Sequence, residues 1–250
     1  MFKKRFLPIF LSIFFFQTSN AQYVMTNFFP PQARYLLGAQ FGLSVNNSLK
    51  TQTFPIIDES AYIYTPKGNA NGQVLGVLAG IEFPVKENYL LQLALKYSRL
   101  ANLNVDGTVY EGADAQSADE FSYRYNISSQ QLMVESKLLY IWKEKYYPYL
   151  QLGLGRSVND ARNYSVDYPI FLTFSPLFEN KSTNAFAYSL GLGVDWDINS
   201  NCRVGIGYRY LNIGKITLGA GRIDDVPIEP TLEQSSASIH EVLAEITYLF

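Results

Sequence analysis

The sequence is poor in the residues on which many enzymatic and metal sites depend. Its 250 residues contain one cysteine and one histidine, Cys202 and His240. A single cysteine excludes an intramolecular disulfide and a metal cluster held by several thiolates. Glycine-rich phosphate loops and clusters of metal ligands are also missing from the sequence. We therefore predict that the protein uses no cofactor and no metal.

Charge of one sign and long apolar runs are equally scarce. Charged residues make up 17% of the chain, and the formal net charge is −2. Without a basic cluster there is no electrostatic case for a nucleic-acid partner. Beyond the N-terminal segment, no apolar run approaches the roughly eighteen residues that indicate a transmembrane helix. A closed β-barrel is the other structure that can cross a bilayer.

The N-terminal segment has the pattern of a secretory signal. Basic residues at positions 3 to 5 precede an apolar run, Phe6–Phe16, and small residues follow at Ser19 and Ala21. The alternative is an anchor helix, but this run contains Pro8 and falls well short of the roughly twenty residues that a spanning helix needs. We predict a cleaved signal peptide over residues 1–21 and an irregular periplasmic lead over residues 22–34.

Aromatic residues and glycine are abundant, with 19 Tyr, 17 Phe and 17 Gly, which favours strands and turns. Eight stretches alternate apolar with polar or small residues at period two, as strands with two different faces do. The last stretch should pair with the first, because a free edge strand is open to aggregation. The predicted strands are Tyr35–Val45, Gln73–Phe83, Tyr89–Leu100, Ser128–Trp142, Pro148–Val158, Asn184–Trp196, Cys202–Ile213 and Ser238–Phe250.

Connections between these strands alternate in length. Those after the second, fourth and sixth strands are short, and the others are long and rich in Asn, Asp, Ser and Gly. Long loops count against a compact soluble domain, whereas short periplasmic turns and long outer loops are typical of an outer-membrane barrel. We predict an all-β, eight-stranded, antiparallel up-and-down transmembrane barrel over residues 35–250. Its long extracellular loops would be Asn46–Gly72, Asn104–Ile127, Asn159–Thr183 and Lys215–Ala237.

The direction of the apolar face separates two kinds of barrel. A soluble barrel hides its apolar face inside. Here roughly forty large side chains lie on that face, more than the interior of an eight-stranded barrel can hold. Residues such as Leu192 and Ile206 should therefore face lipid. Glycines on the opposite face, such as Gly193 and Gly207, would make room inside a narrow lumen.

Aromatic side chains of the apolar face gather at both ends of the predicted strands. This placement predicts two girdles at the membrane interfaces, and it disfavours the alternative of a β-sandwich with aromatic edges. The turn-side residues are Phe83, Tyr89, Trp142, Trp196, Tyr248 and Phe250, and the loop-side residues are Tyr97, Phe186, Tyr188, Tyr208 and Tyr210.

Two glycine-rich segments and the aromatic last strand carry a family resemblance. The segments LQLGLG at Leu150–Gly155 and GIGYRY at Gly205–Tyr210 resemble the OmpA-type and opacity-type eight-stranded outer-membrane barrel family of Gram-negative bacteria. The resemblance implies a monomeric barrel surrounded by outer-membrane lipid and lipopolysaccharide and inserted by the barrel-assembly machinery. The assembly signal would be the last strand, through Ile246, Tyr248 and Phe250.

Nine charged residues fall on the face that should line the lumen. Buried charges persist only when they are paired and hydrogen-bonded, so we predict a salt-bridge network that fills the lumen. The alternative is a narrow polar conduit whose pairs rearrange. The residues are Glu82, Lys96, Glu135, Lys137, Asp195, Arg203, Arg209, Glu241 and Glu245.

One possible catalytic group lies on the last strand. Ser238 and His240 point the same way and, with Glu233, could supply a nucleophile and base as in some outer-membrane barrel acylhydrolases. No further motif orients the histidine, so we expect an interfacial residue and no catalytic residues. The acids of the second loop lack the spacing of a calcium site and should be solvated: Asp106, Glu111, Asp114, Asp119 and Glu120.

These features predict a structural or adhesion-type surface protein whose outer loops contact host or envelope molecules. A narrow, porin-like channel for small solutes is the alternative, and a lipid-modifying barrel enzyme is the third hypothesis.

Overall fold

The computed structural model describes residues 32–55, 61–112, 119–167, 177–223, 226–228 and 231–250. The chain divides into two units, residues 1–33 and Arg34–Phe250. The predicted signal peptide and nearly all of the predicted lead lie outside the described residues. Within the described ranges, no helix is long and apolar enough to cross a membrane.

Eight long strands form a closed antiparallel ring. Each strand pairs with its neighbours in sequence, and the eighth pairs with the first from Leu36↔Leu249 to Asn46↔Ile239. Closure leaves no free edge along the paired part of the barrel, which confirms the predicted architecture. In chain order the strands are β1 (Arg34–Asn46), β2 (Ala70–Lys86), β3 (Tyr89–Gly112), β4 (Asp119–Tyr140), β5 (Tyr146–Asp167), β6 (Lys181–Asp197), β7 (Cys202–Asn212) and β8 (Ser238–Leu249).

Seven short strands lie at the loop side of the ring. Gln52–Pro55 and Ala61–Pro66 form a hairpin whose second strand pairs with the end of β3. Ile216–Thr217 pairs with Glu233–Gln234. A separate three-stranded sheet consists of Leu177–Phe178, Gly221–Ile223 and Val226–Ile228. The segments predicted as loops therefore contain secondary structure of their own.

Side chains alternate between the lumen and the outer surface as predicted. Leu192 and Ile206 are 56% and 55% exposed on the outside of the barrel. On β8, Glu241 and Glu245 are buried while Val242 is exposed. Since large apolar residues face outward on the ring strands, the outer surface suits hydrocarbon and the interior does not need to hold them.

Three strands continue far beyond their predicted ends. β3 and β4 remain paired to Glu111↔Asp119, and β4 and β5 remain paired to Ser122↔Asp167. The predicted loops over residues 104–127 and 159–183 are therefore partly strand, because inward apolar residues such as Val105 and Tyr123 continue the alternation and are buried. Since about ten residues suffice to cross a bilayer, these strands project well past it.

We call this projecting part the outer extension. It consists of residues 103–112 of β3, 119–127 of β4, 159–167 of β5 and the hairpin strands Gln52–Pro55 and Ala61–Pro66. Its outward side chains are polar: Asn104, Asp106, Ser122, Arg124 and Asn126 are all exposed. This polarity suits water and contrasts with the apolar outer surface of the barrel.

Candidate functional site

The first of three ion clusters in the lumen lies nearest the short turns. Arg203 on β7 is buried and contacts Glu82 at 2.5 Å and Asp197 at 2.7 Å. Glu82 also accepts a hydrogen bond from Gln92 at 2.7 Å and pairs with Arg34 at 2.5 Å. The Arg203 guanidinium lies 4.0 Å from the centre of the Tyr147 ring. The network thus joins β1, β2, β3, β5, β6 and β7 across the lumen.

The second cluster is centred on Lys137 of β4. Its ammonium contacts Glu245 at 2.6 Å and Asp195 at 3.2 Å, and it lies 4.4 Å from the centre of the Tyr149 ring. Gln40 donates a hydrogen bond to Glu245. One cation on β4 therefore serves two carboxylates, one on β6 and one on β8.

The third cluster is shared by two cations and two carboxylates. Glu135 accepts from Lys96 at 2.9 Å and from Arg209 at 3.2 Å, and Arg209 also contacts Glu241 at 2.5 Å. All four side chains are buried. Removal of the water shell from these charges is offset only by such mutual contacts.

The structure places all nine charged residues of the sequence analysis in the lumen and pairs every one of them. Two further members were missed. Arg34 had been assigned to the N-terminal lead and Asp197 to a turn, and each belongs to the end of a strand. Extension of the inward parity by two residues, from Asp195 to Asp197, identifies Asp197 as a further inward residue.

The loop-side half of the interior is closed differently, by a large cluster of buried apolar residues. Leu100, Leu103, Leu211 and Ile213 are fully buried there. The sequence pattern does not predict this cluster, because small and charged residues dominate the inward face of the predicted strands. Its members in the ring strands are Ala70, Val74, Leu100, Leu103, Val105, Val109, Tyr123, Ile127, Met133, Ala161, Ala187, Leu211, Ile239 and Leu243.

A chain of neutral hydrogen bonds crosses the same half. Ser98 donates to Gln131 at 2.7 Å, Gln131 donates to Ser129 at 2.8 Å, and Ser129 donates to Asn159 at 2.6 Å. The Asn159 amide then donates to the Ile213 carbonyl at 2.7 Å. The polar groups of this chain are therefore uncharged and satisfy one another locally.

Aromatic rings cover the loop-side end of the apolar cluster. The Tyr64 ring lies 5.4 Å from Phe54, 5.4 Å from Tyr123 and 5.9 Å from Phe178, and Tyr164 lies 5.0 Å from Phe178. Burial raises the pKa of the Tyr123 phenol, with smaller contributions from neighbouring phenols. Because the hairpin supplies Phe54 and Tyr64, the outer extension caps the barrel mouth.

A shallow groove of about 210 Å³ lies on the outer extension. It is lined by Lys67, Asp106, Ser122, Arg124 and Asp167, together with Gly107, Tyr123, Ser165 and Val166. Arg124 donates to Ser165 at 3.1 Å, and the Lys67 backbone amide donates to the Asp106 carbonyl at 2.7 Å. Charges of both signs alternate across the groove, which suits a polar partner.

Ser238 and His240 have separate partners. The Ser238 hydroxyl is 2.8 Å from the Tyr210 hydroxyl, and His240 Nδ1 is 2.5 Å from the Tyr208 hydroxyl. Glu233 pairs instead with Lys215 at 2.5 Å. The geometry assembles no nucleophile, base and acid from these three residues. Among the described residues, no group of His, Cys, Asp and Glu is arranged to hold a metal.

The second-loop acids fall into two groups. Asp106 lines the groove, and Glu120 is exposed on the outer extension. Asp114 and the side chains of Glu111 and Asp119 lie outside the described residues.

Comparison with known proteins gives one family match. The family model described as "Outer membrane protein beta-barrel domain" matches residues 24–240. No curated protein matches the sequence.

Three solved structures follow a similar course of the chain and are distant from it in sequence. Neisserial surface protein A is 15% identical, with a TM-score of 0.49 over 87% of this chain and 99% of that one. Ail, the attachment invasion locus protein of Yersinia pestis, is 10% identical, with a TM-score of 0.39 over 88% and 99%. The outer membrane protease OmpT of Escherichia coli is 9% identical, with a TM-score of 0.43 over 87% and 96%.

Proposed function

This chain belongs to the outer membrane protein beta-barrel domain family, and on that premise we propose that it is a non-enzymatic surface protein with an adhesion-type role. The barrel anchors the chain in the outer membrane of a Gram-negative bacterium. The outer extension is the part that contacts molecules outside the cell.

The filled lumen is the observation that carries this proposal. Three ion clusters fill the turn side and the middle of the lumen, and the apolar cluster under its aromatic cap closes the loop side. A conduit for small solutes would need an open path through the lumen, and buried side chains fill both parts of it. The barrel therefore serves as a membrane anchor for the outer extension.

The outer extension supplies a surface suited to contact. Three strands and a hairpin hold its groove in one paired sheet, and its outward side chains are polar. A sheet that is paired from the membrane outward keeps those side chains in fixed positions, which lowers the entropy cost of binding.

A deletion tests the proposal. Residues 105–125 are removed, and the paired residues Asn104 and Asn126 are joined by an Asn-Gly turn, which suits a two-residue hairpin. A non-adherent Gram-negative strain displays either form, and its attachment to epithelial cells is counted. We expect attachment with the full chain and loss of it with the deletion.

A second variant, Lys67→Ala/Asp106→Ala/Arg124→Ala, changes the charges of the groove and leaves the sheet in place. Equal surface levels are checked with an epitope tag. Attachment that is unchanged by the deletion, or that is absent with the full chain, would contradict the proposal.

The two other hypotheses have less support in the geometry. A solute channel conflicts with the filled lumen, and single-channel recording tests it. A lipid-modifying enzyme needs a catalytic group, and Ser238 and His240 instead hydrogen-bond to Tyr210 and Tyr208. Mass spectra of lipids from expressing cells, compared with cells that express His240→Ala, test the enzyme hypothesis.

A further inference from the structure

Two arginines stand at the loop-side limit of the apolar outer surface. Arg99 on β3 and Arg156 on β5 are exposed and point outward, in line with Tyr97 and Leu154. Neither has an ion-pair or hydrogen-bond partner among the described residues. An unpaired cation next to an apolar surface indicates that its partner comes from outside the chain.

The strand register places these arginines close together. One outward row runs Tyr97, Leu132, Arg156 and Phe186 across β3 to β6, and the next row toward the loops runs Arg99, Gln130, Val158 and Asn184. Two strand spacings and two residue rises separate the two arginines, which is about 12 Å between Cα atoms. Two arginine side chains can converge on one group across this distance.

Arg156 has the more demanding position. Its neighbours in the row, Leu132 and Phe186, are 53% and 64% exposed, so an apolar surface lies on both sides of it. A lipid-facing arginine is costly at the bilayer midplane and costs little near an interface. The residue is therefore tolerated only where its guanidinium reaches the headgroups.

Gln130 lies on β4, the strand between the two arginines, and pairs with Arg99. The Tyr97 hydroxyl donates to its Oε1 at 2.9 Å. This contact fixes the orientation of the amide and leaves its nitrogen as a further donor on this surface. Three donor groups thus share one small area: two guanidinium groups, which bind phosphate with paired hydrogen bonds, and one amide.

We propose that Arg99, Gln130 and Arg156 bind the phosphate group of a lipid in the loop-side leaflet of the membrane. Charge complementarity selects the phosphate, and the apolar surface directly below selects a lipid as its carrier. Leu95, Val134 and Leu154 form that surface and are 54–61% exposed. The acyl chains of the bound lipid pack on these three residues.

The test is a lipid titration of the purified full chain in neutral detergent, with bound lipid counted by native mass spectrometry. The probe is diphosphoryl lipid A. We expect the double variant Arg99→Gln/Arg156→Gln to weaken binding roughly ten-fold or more, and each single variant to weaken it several-fold. Unchanged binding by the double variant would overturn the site.

Arg162→Gln is the matched control. This arginine is also exposed on β5, but it is paired with Asp160 at 3.1 Å, so its loss should change lipid binding by less than about two-fold. If Arg162→Gln weakened lipid binding as much as the double variant, general surface charge would explain the effect and the proposed site would be wrong. The variant Arg99→Lys/Arg156→Lys keeps the charge and should retain more binding than the glutamine pair.

Two further probes identify the source of the phosphate. Lipid A without phosphates should bind at least about ten-fold more weakly, because the donors then lack their anion. Inorganic phosphate at the same concentration should not displace the lipid, since it has no acyl chains. Equal binding of the phosphate-free lipid, or full displacement by inorganic phosphate, would overturn the proposal. Circular dichroism checks that each variant is folded.

Discussion

The two halves of the barrel interior are closed by different interactions. On the turn side and in the middle, eleven charged residues form the ion clusters, nine of them are buried, and each depends on particular partners. On the loop side, leucines and isoleucines fill the space and depend on volume. The comparison shows that one narrow lumen can be blocked by specific pairing at one end and by packing at the other.

The two kinds of closure should fail differently. Removal of one partner from a buried ion pair leaves a charge without compensation, and that is costly. Removal of a buried methyl group leaves a cavity, whose cost depends on how far the surroundings relax. Variants of the two halves can be compared by urea unfolding in lipid vesicles, with the fluorescence of Trp142 and Trp196, which are 49% and 38% exposed to the bilayer.

The largest effect is expected in the ion clusters, for Arg209→Met. The substitution leaves Glu241 without its cation and Glu135 with only Lys96. We expect a loss of about 4 kcal/mol in the free energy of unfolding, as for a broken buried pair. The double variant Arg209→Met/Glu241→Gln should recover much of this loss. A double variant no better than the single one would show that lost packing, and not the unpaired charge, dominates.

In the apolar half, Leu100→Ala should cost slightly less. Leu100 is fully buried, and its truncation should lower the free energy of unfolding by about 3 kcal/mol through lost burial and a residual cavity. Leu100→Met nearly conserves volume and should cost less than about 1.5 kcal/mol. If both variants cost the same, the loop-side half would not be packed as the structure indicates.

A smaller effect on the free energy of unfolding is expected at Gly207, where the backbone lies against Tyr149. A Cβ atom at Gly207 would collide with the Tyr149 hydroxyl, and one at Gly193 would lie 2.6 Å from it. Gly207→Ala should therefore destabilise the barrel by about 1–2 kcal/mol through overpacking. Tyr149→Phe removes the hydroxyl and should rescue part of the loss. No rescue would mean that the Leu192 carbonyl, 3.0 Å from the same Cβ position, sets the limit.

The charged half could be predicted from the sequence, and the apolar half could not. Alternation at period two assigns Glu82 or Lys137 to the lumen without knowledge of the register. It also assigns Leu100 and Leu211 to the same face, but it does not distinguish inward residues that meet in one apolar cluster from inward residues that lie apart. That distinction depends on which residues of distant strands meet at one level of the ring.

The outer extension was missed for a related reason. Residues 104–127 are rich in Asn, Asp and Ser, which favours loops, but strand pairing there is stabilised by long-range contacts. Val105 and Tyr123 pack on Tyr64 and other residues of the hairpin and the apolar cluster. Tertiary packing thus overrides local preference.

The smallest expected effect is on conductance, and it tests whether the two closures act in series. In the triple variant Lys137→Ala, Asp195→Ala and Glu245→Ala, the second ion cluster is removed whole, so no unpaired charge remains from that cluster. Because the apolar half still blocks the lumen, we expect planar-bilayer recordings to stay at the level of the wild type. Leu100→Ala alone should also leave them unchanged. Steady channels from the triple variant would show that the ion clusters alone close the barrel.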